Sequence, residues 1–113
     1  MLRGLGKITV PVAGTPVRCS STQTIVPSGD SFPVHSVLIQ ALTANSGKVY
    51  IGDRNMVVAT LANVIAVLAI PSGGAIPSFS VALTLAPNAI NLADLFLDVD
   101  VNGEGALVSI LIA

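Results

Sequence analysis

The densest run of ligand-type oxygens in the chain is Asp98-x-Asp100-x-Asn102-Gly103-Glu104. It begins like a calcium loop of the form D-x-[DN]-x-[DN]-G, in which carboxylate and amide oxygens wrap a hard cation. The likeness then stops, because the bidentate glutamate required at the twelfth position falls on Ser109. The residues before Asp98 also alternate like a strand, whereas a calcium loop lies between two helices. A solvated carboxylate face that keeps a hairpin end soluble accounts for the run better. Asp98, Asp100 and Asn102 therefore remain weak candidates for a surface cation, and no metal is expected.

Two other reactive side chains stand alone. His35 is the only histidine, and a general base needs a nucleophile or an orienting carboxylate within reach. Its apolar neighbours favour packing. Cys19 is the only cysteine, so no intrachain disulfide forms, which fits synthesis in a reducing cytoplasm; without a second thiol or a nearby histidine it reads as a small buried residue. No nucleophile elbow, phosphate loop or His–Cys metal spacing occurs. Neither an enzyme nor a cofactor is expected, because an active site needs several convergent polar groups and this chain has few.

The composition points the same way. Of 113 residues, 52% are hydrophobic and only 10% charged, against about 25% charged in an average soluble protein. Part of the apolar surface is therefore expected to lie against another chain. Five basic residues and a net charge of -1 provide no footprint for a phosphate backbone. An aromatic content of 4% with no Trp removes most stacking platforms for single strands or sugar rings. No continuous apolar run follows the basic N-terminal residues, so no export signal is expected. Residues 57–70 are interrupted by Thr60 and Asn63 and are shorter than the ~20 residues of a spanning helix. Neither a nucleic acid nor a membrane is an expected partner.

The elements that position these groups are strands. Apolar and polar positions alternate with period two and are punctuated by Pro, Gly and Asn. The first strand is expected over 7–12, with Ile8, Val10 and Val12 on one face, and a short second one over 16–21. Thr24, Ile25 and Val26 lead into the turn Pro27-Ser28-Gly29-Asp30. Residues 34–42 are rich in β-branched and aliphatic side chains and predict a central strand, with 48–51 as its hairpin partner across Asn45-Ser46-Gly47. Residues 56–70 suit a helix or a strand pair, and strand or loop followed by strand is favoured. After the loop Pro71-Ser72-Gly73-Gly74, Phe79, Val81, Leu83 and Leu85 share a strand face that ends at Pro87-Asn88. Leu95, Leu97, Val99 and Val101 face the core while Phe96, Asp98, Asp100 and Asn102 face away. Asn102-Gly103 signals a type I′ hairpin into a terminal strand over 106–113. Because Leu107, Val108, Ile110, Leu111 and Ile112 are apolar at both parities, that strand is expected to be buried on both sheet faces, or on one face and against an intersubunit surface, and these five are the interaction candidates. The expected fold class is all-β, a small antiparallel β-sandwich or jelly-roll-like domain over 1–113, with about 1–7 as a flexible N-terminal segment.

Three segments carry a family likeness: Val37-Leu38-Ile39-Gln40-Ala41-Leu42, Gly47-Lys48-Val49-Tyr50-Ile51-Gly52-Asp53 and Leu97-Asp98-Val99-Asp100-Val101-Asn102-Gly103-Glu104-Gly105. With Pro16-Val17-Arg18 before them, their order and spacing resemble a family of small virion proteins encoded among tailed-bacteriophage structural genes. The resemblance runs from about Ile8 onward, although residues 56–76 are more apolar than the family pattern. It implies a non-enzymatic subunit on the outer surface of the phage head, a capsid decoration or cement protein that stabilises joints between major capsid protein subunits. The implied partners are copies of itself, as a homo-oligomer, and the phage major capsid protein. The implied location is the virion, after synthesis in the bacterial host cytoplasm. A tail- or fibre-associated module is the alternative station. A host-surface glycan-binding module is a third reading, for which Tyr50, Phe32, Phe79 and Phe96 are the only aromatic groups to draw on.

Overall fold

The computed structural model describes residues 2–19, 33–82 and 90–112. Within them the alternating segments form β1 (Leu2–Thr9), β2 (Val17–Arg18), β3 (Pro33–Ala41), β4 (Val49–Val57), β5 (Ala62–Leu68), β6 (Ser78–Ala82), β7 (Ile90–Asn91), β8 (Phe96–Val99) and β9 (Gly105–Ile112), with a single 3-10 turn over Leu92–Asp94. The early strands pair with the late ones from the middle outward: β4 with β5, β3 with β6 and β7, β2 with β8, and β1 with β9, all antiparallel. That is the pattern of one long hairpin whose bend lies at residues 58–61. Rolling it up adds the pairs β3–β9 and β4–β8. The result is a five-stranded sheet, β1-β9-β3-β6 with β7 further along the same side of β3, and a four-stranded sheet, β2-β8-β4-β5. The chain is an all-β sandwich with the strand order of a jelly roll.

The core follows from the alternation. Ile8, Val37, Ile39, Ala41, Ala106, Val108 and Ile110 point inward from the larger sheet, and Val49, Ile51, Leu97 and Val99 point inward from the smaller one. The two inner faces interdigitate as in other aligned sandwiches. In β3 a register shift between Val34 and Ser36 lets both Val34 and Val37 point inward despite their odd spacing. His35 sits at that shift, half-buried. Close sheet contact is also written into Gly105, where a Cβ would collide with the Ile8 carbonyl oxygen and lie 2.8 Å from the Thr9 Cα.

Five expectations are corrected, one of them Val101, which lies beyond the end of β8 and is exposed instead of facing the core. Residues 2–7, expected as a flexible lead-in, belong to β1 and pair along β9, with a bulge at Gly6, whose φ is +82°. Val12 does not share the buried face of Ile8 and Val10, because the strand ends at Thr9 and Pro11 turns the chain outward. The expected hairpins across residues 45–47 and across Asn102-Gly103 are arches between the two sheets, since β3 pairs with β9 and β6, and β4 with β8 and β5. The apolar sets Val37/Ile39 and Val49/Ile51 satisfy each other face to face instead of side by side. The tight local hairpin lies where helix and strand competed, at residues 56–70, as β4 turning into β5. The strand at 16–21 is described only as β2, and the strand face of Phe79 and Val81 only as β6. Thr24–Val26, the turn at 27–30, Leu83, Leu85 and Pro87-Asn88 lie outside the described residues.

Candidate functional site

The acidic run begins in β8 with Asp98 and continues along the arch from β8 to β9, and its oxygens are occupied mainly by neighbouring backbone. Asp98 is only 1% exposed. Its Oδ1 accepts the Gly14 N–H at 2.9 Å and the Val99 N–H at 2.8 Å. Asp100 accepts the Lys48 N–H at 3.2 Å through Oδ2 and the Tyr50 hydroxyl at 3.0 Å through Oδ1. Asn102 accepts the Ala13 N–H at 2.8 Å. Glu104 takes three donors from the other arch: the Ser46 N–H at 2.8 Å, the Ser46 hydroxyl at 3.0 Å and the Gly47 N–H at 3.0 Å. The run thus reaches two other crossings of the sandwich, β1 to β2 at residues 10–16 and β3 to β4 at residues 42–48.

This overturns the expectation of a solvated face for Asp98. Alternation placed it correctly on the outer side of its sheet, but the loop at Ala13 and Gly14 folds over that side. Asp100 and Asn102 are exposed as residues yet tied through their oxygens. Each of the three candidate ligands serves a different backbone partner. Among the described residues, no three His, Cys, Asp or Glu side chains come together as a metal-binding group.

The electrostatics fit the hydrogen bonding. The Ser46 backbone N–H, aided by the Gly47 N–H and the Ser46 hydroxyl, holds the Glu104 carboxyl below the usual glutamate range, outweighing the opposing effect of burial. Burial pushes the Tyr50 hydroxyl up, and its hydrogen bond to Asp100 and the charges of Asp100 and Asp98 add to that. Burial pushes the Cys19 thiol up to about 12, so it stays protonated and inert. The sequence did not single out Asn45, which is buried and donates from Nδ2 to the Gly105 carbonyl at 2.8 Å. Gly47 is equally constrained, since a Cβ there would lie 2.8 Å from the Asp100 Cβ. The signal for both was the small polar run Asn45-Ser46-Gly47, which reads as an ordinary turn.

The terminal strand divides by parity. Val108 and Ile110 are in the core, with 0% and 1% exposure, and pack within the chain. Leu107 and Leu111, at 38% and 37%, stay open on the outer face of the larger sheet, so the strand is covered on one face only within the single chain. The side chain of Ile112 lies outside the described ones. Tyr50 is buried, Phe79 half-buried against the core, and Phe96 half-buried with the Arg18 guanidinium 5.7 Å from its ring centre; Phe32 lies outside the described residues. A depression lined by Thr43 and residues 71–76 contains no titratable side chain.

The chain matches no known family model, curated protein or solved structure. The groups with chemical potential are therefore read from their geometry alone. They knit three crossings together at one end of the sandwich. No helix among the described residues is long and apolar enough to cross a membrane.

Proposed function

We propose that the chain is a non-enzymatic virion structural protein of a tailed bacteriophage, a decoration or cement subunit on the outer surface of the head. The observation that carries this reading is apolar surface that the fold itself leaves open. Val12, Val57, Leu61, Ile65, Val67, Ile70, Ile76, Val101, Leu107 and Leu111 are large, hydrophobic and exposed in a chain with only 10% charged residues. Single exposed hydrophobics are ordinary, but this many with so little charge between them suits a subunit whose surface is covered in an assembly. Burial across capsid joints contributes about 25 cal/mol per Å² before association costs are subtracted, so many modest joints add up over a shell. The carboxylate-tied arches support the same reading, since they stiffen one end of the sandwich and leave both outer sheet faces for lateral contact.

The test is to mix the purified chain with heads of the phage that encodes it, lacking their own copy, and to image them by cryo-electron microscopy. Saturable density at fixed positions over joints between major capsid protein subunits is the expected result, together with a raised head-melting temperature. Density at the tail, or none, would refute the assignment.

A further inference from the structure

We infer that Asn102-Gly103 is a latent self-modification site, at which the chain forms a succinimide and then an aspartyl or isoaspartyl residue, and that the crossing from β1 to β2 holds it unreacted until that crossing lifts from the arch. The inference is independent of what the chain assembles with.

Asn102-Gly103 is the only Asn-Gly pair in the sequence, and Asn102 is exposed. In such a pair the following backbone nitrogen reaches the side-chain amide carbon readily, because glycine has no Cβ to obstruct the approach. The Gly103 nitrogen gives up its proton and bonds to the Asn102 Cγ. The Cγ–Nδ2 bond breaks, and the amide group leaves with that proton as ammonia. Water then opens the imide ring. Opening at Cγ leaves an aspartate at 102; opening at the former backbone carbonyl leaves an isoaspartate, whose main chain runs through Cβ and Cγ and is longer by one carbon.

The fold ties up both reacting groups. The Gly103 N–H donates to the Val10 carbonyl at 2.8 Å, so the nitrogen keeps its proton and that proton is directed at Val10. Val10 is fully buried and donates back to the Glu104 carbonyl at 2.9 Å, so this partner does not swing aside alone. The Asn102 Oδ1 accepts the Ala13 N–H at 2.8 Å, which holds the side chain in place, and the Gly14 N–H anchors the same crossing on Asp98 at 2.9 Å. All of these contacts come from residues 10–14. Attack on Cγ therefore requires that crossing to lift, a local opening of the kind that also exposes amides to hydrogen exchange. An aspartate at 102 keeps an oxygen for Ala13, whereas an isoaspartate lengthens the arch just before the two residues that Val10 holds, so the opening is recorded as a covalent change.

The experiment ages the full chain in solution at mildly alkaline pH, folded and in denaturant, and reads deamidation at each asparagine by peptide mapping with mass spectrometry. The expected result is that the unfolded chain reacts first at Asn102, that Asn102→Gln removes that signal, and that the folded chain reacts about tenfold more slowly or less. Two variants then locate the protection. Asp98→Ala releases the Gly14 anchor and should speed the folded-state reaction about threefold or more, with a matching rise in hydrogen exchange at the Gly103 amide. Val108→Ala, which weakens the core away from the arch, should leave both rates within about twofold of the parent. Folded and unfolded chains reacting at the same rate, or an unfolded chain that reacts first elsewhere, would overturn the site. Equal rates in Asp98→Ala and Val108→Ala, raised or not, would overturn the role of the crossing.

Discussion

Replacing Asp98 by alanine separates three accounts of the acidic arch. If Asp98 were a solvated surface group, the change would cost no more than about 0.5 kcal/mol. As the structure has it, the substitution removes the acceptor of the Gly14 and Val99 N–H groups. The Val99 N–H bond is buried, and a buried donor left without a partner costs about 1–3 kcal/mol. Gly14 lies on an exposed loop where water can replace the carboxylate, so its loss is nearer 0.5–1 kcal/mol. Relief from holding a carboxylate in a covered site offsets part of this. The net expectation is about 2–3 kcal/mol, or a melting temperature lower by roughly 8–15 °C for a domain of this size. Asp98→Asn keeps an Oδ1 acceptor in place and should lose less than half as much. Calorimetry with calcium and with chelator is the assay, and the parent and both variants should melt alike in the two conditions. A midpoint for Asp98→Ala within 2 °C of the parent would refute the reasoning. So would a calcium-induced rise of many degrees in the parent that the variant lacks, which would restore the metal reading.

Glu104 makes stability sensitive to acid. Its folded value is lowered, so its contribution is complete above the ordinary glutamate range, about 4.3, and is lost as pH falls through the lowered value. Because Glu104 is only half-buried and water screens its carboxylate, that contribution is only about 0.5–1 kcal/mol, and Glu104→Gln should flatten the acid limb of a stability–pH curve by that amount. On β9, Val108→Ala should cost roughly 2 kcal/mol by chemical denaturation, whereas Leu107→Ser and Leu111→Ser should each cost less than about 1 kcal/mol and reduce occupancy on heads instead. Cys19 should resist a thiol-specific chromogenic reagent in the native chain and react at once in denaturant; rapid native labelling would contradict its burial.

Much of the fold was legible because alternation reports which side of a strand is apolar. It identified β3 as central, set the inward parity of Leu97 and Val99, and divided residues 56–70 into strands. Alternation carries no information about partner. Residues 34–42 and 48–51 have the spacing of a hairpin, and the rolled topology nevertheless sends them to opposite sheets, since inward-facing valines and isoleucines are satisfied equally beside or across from one another. The same limit hid the role of Asp98. Its parity was right, but the loop that covers it begins 84 residues earlier in the chain, and no local pattern announces that contact. Gly4 and Gly6 broke the alternation of the first strand and concealed β1, although the ladder to β9 runs through both sides of the Gly6 bulge.

The distribution of charge shows how the fold and the proposed assembly divide the chain between them. A two-layer sandwich requires apolar residues at inward positions only, and Val108, Ile110, Ile51 and Leu97 meet that requirement. Outward positions are free to be polar, and at one end of the molecule they are: Asp98, Asp100, Asn102 and Glu104 lie together on one arch and hold two other crossings through backbone N–H groups. Along the strands some outward positions take the opposite course, with Ile65 and Val67 on one sheet and Leu107 and Leu111 on the other. These four contribute little to closing the sandwich, and each makes a lone monomer less soluble. Polar substitution at them should therefore leave the melting temperature nearly unchanged while weakening contacts between chains, and substitution at the acidic arch should do the reverse. A subunit built in this way has its stability and its assembly determined by different residues, so the two can be varied independently and measured in the same set of variants.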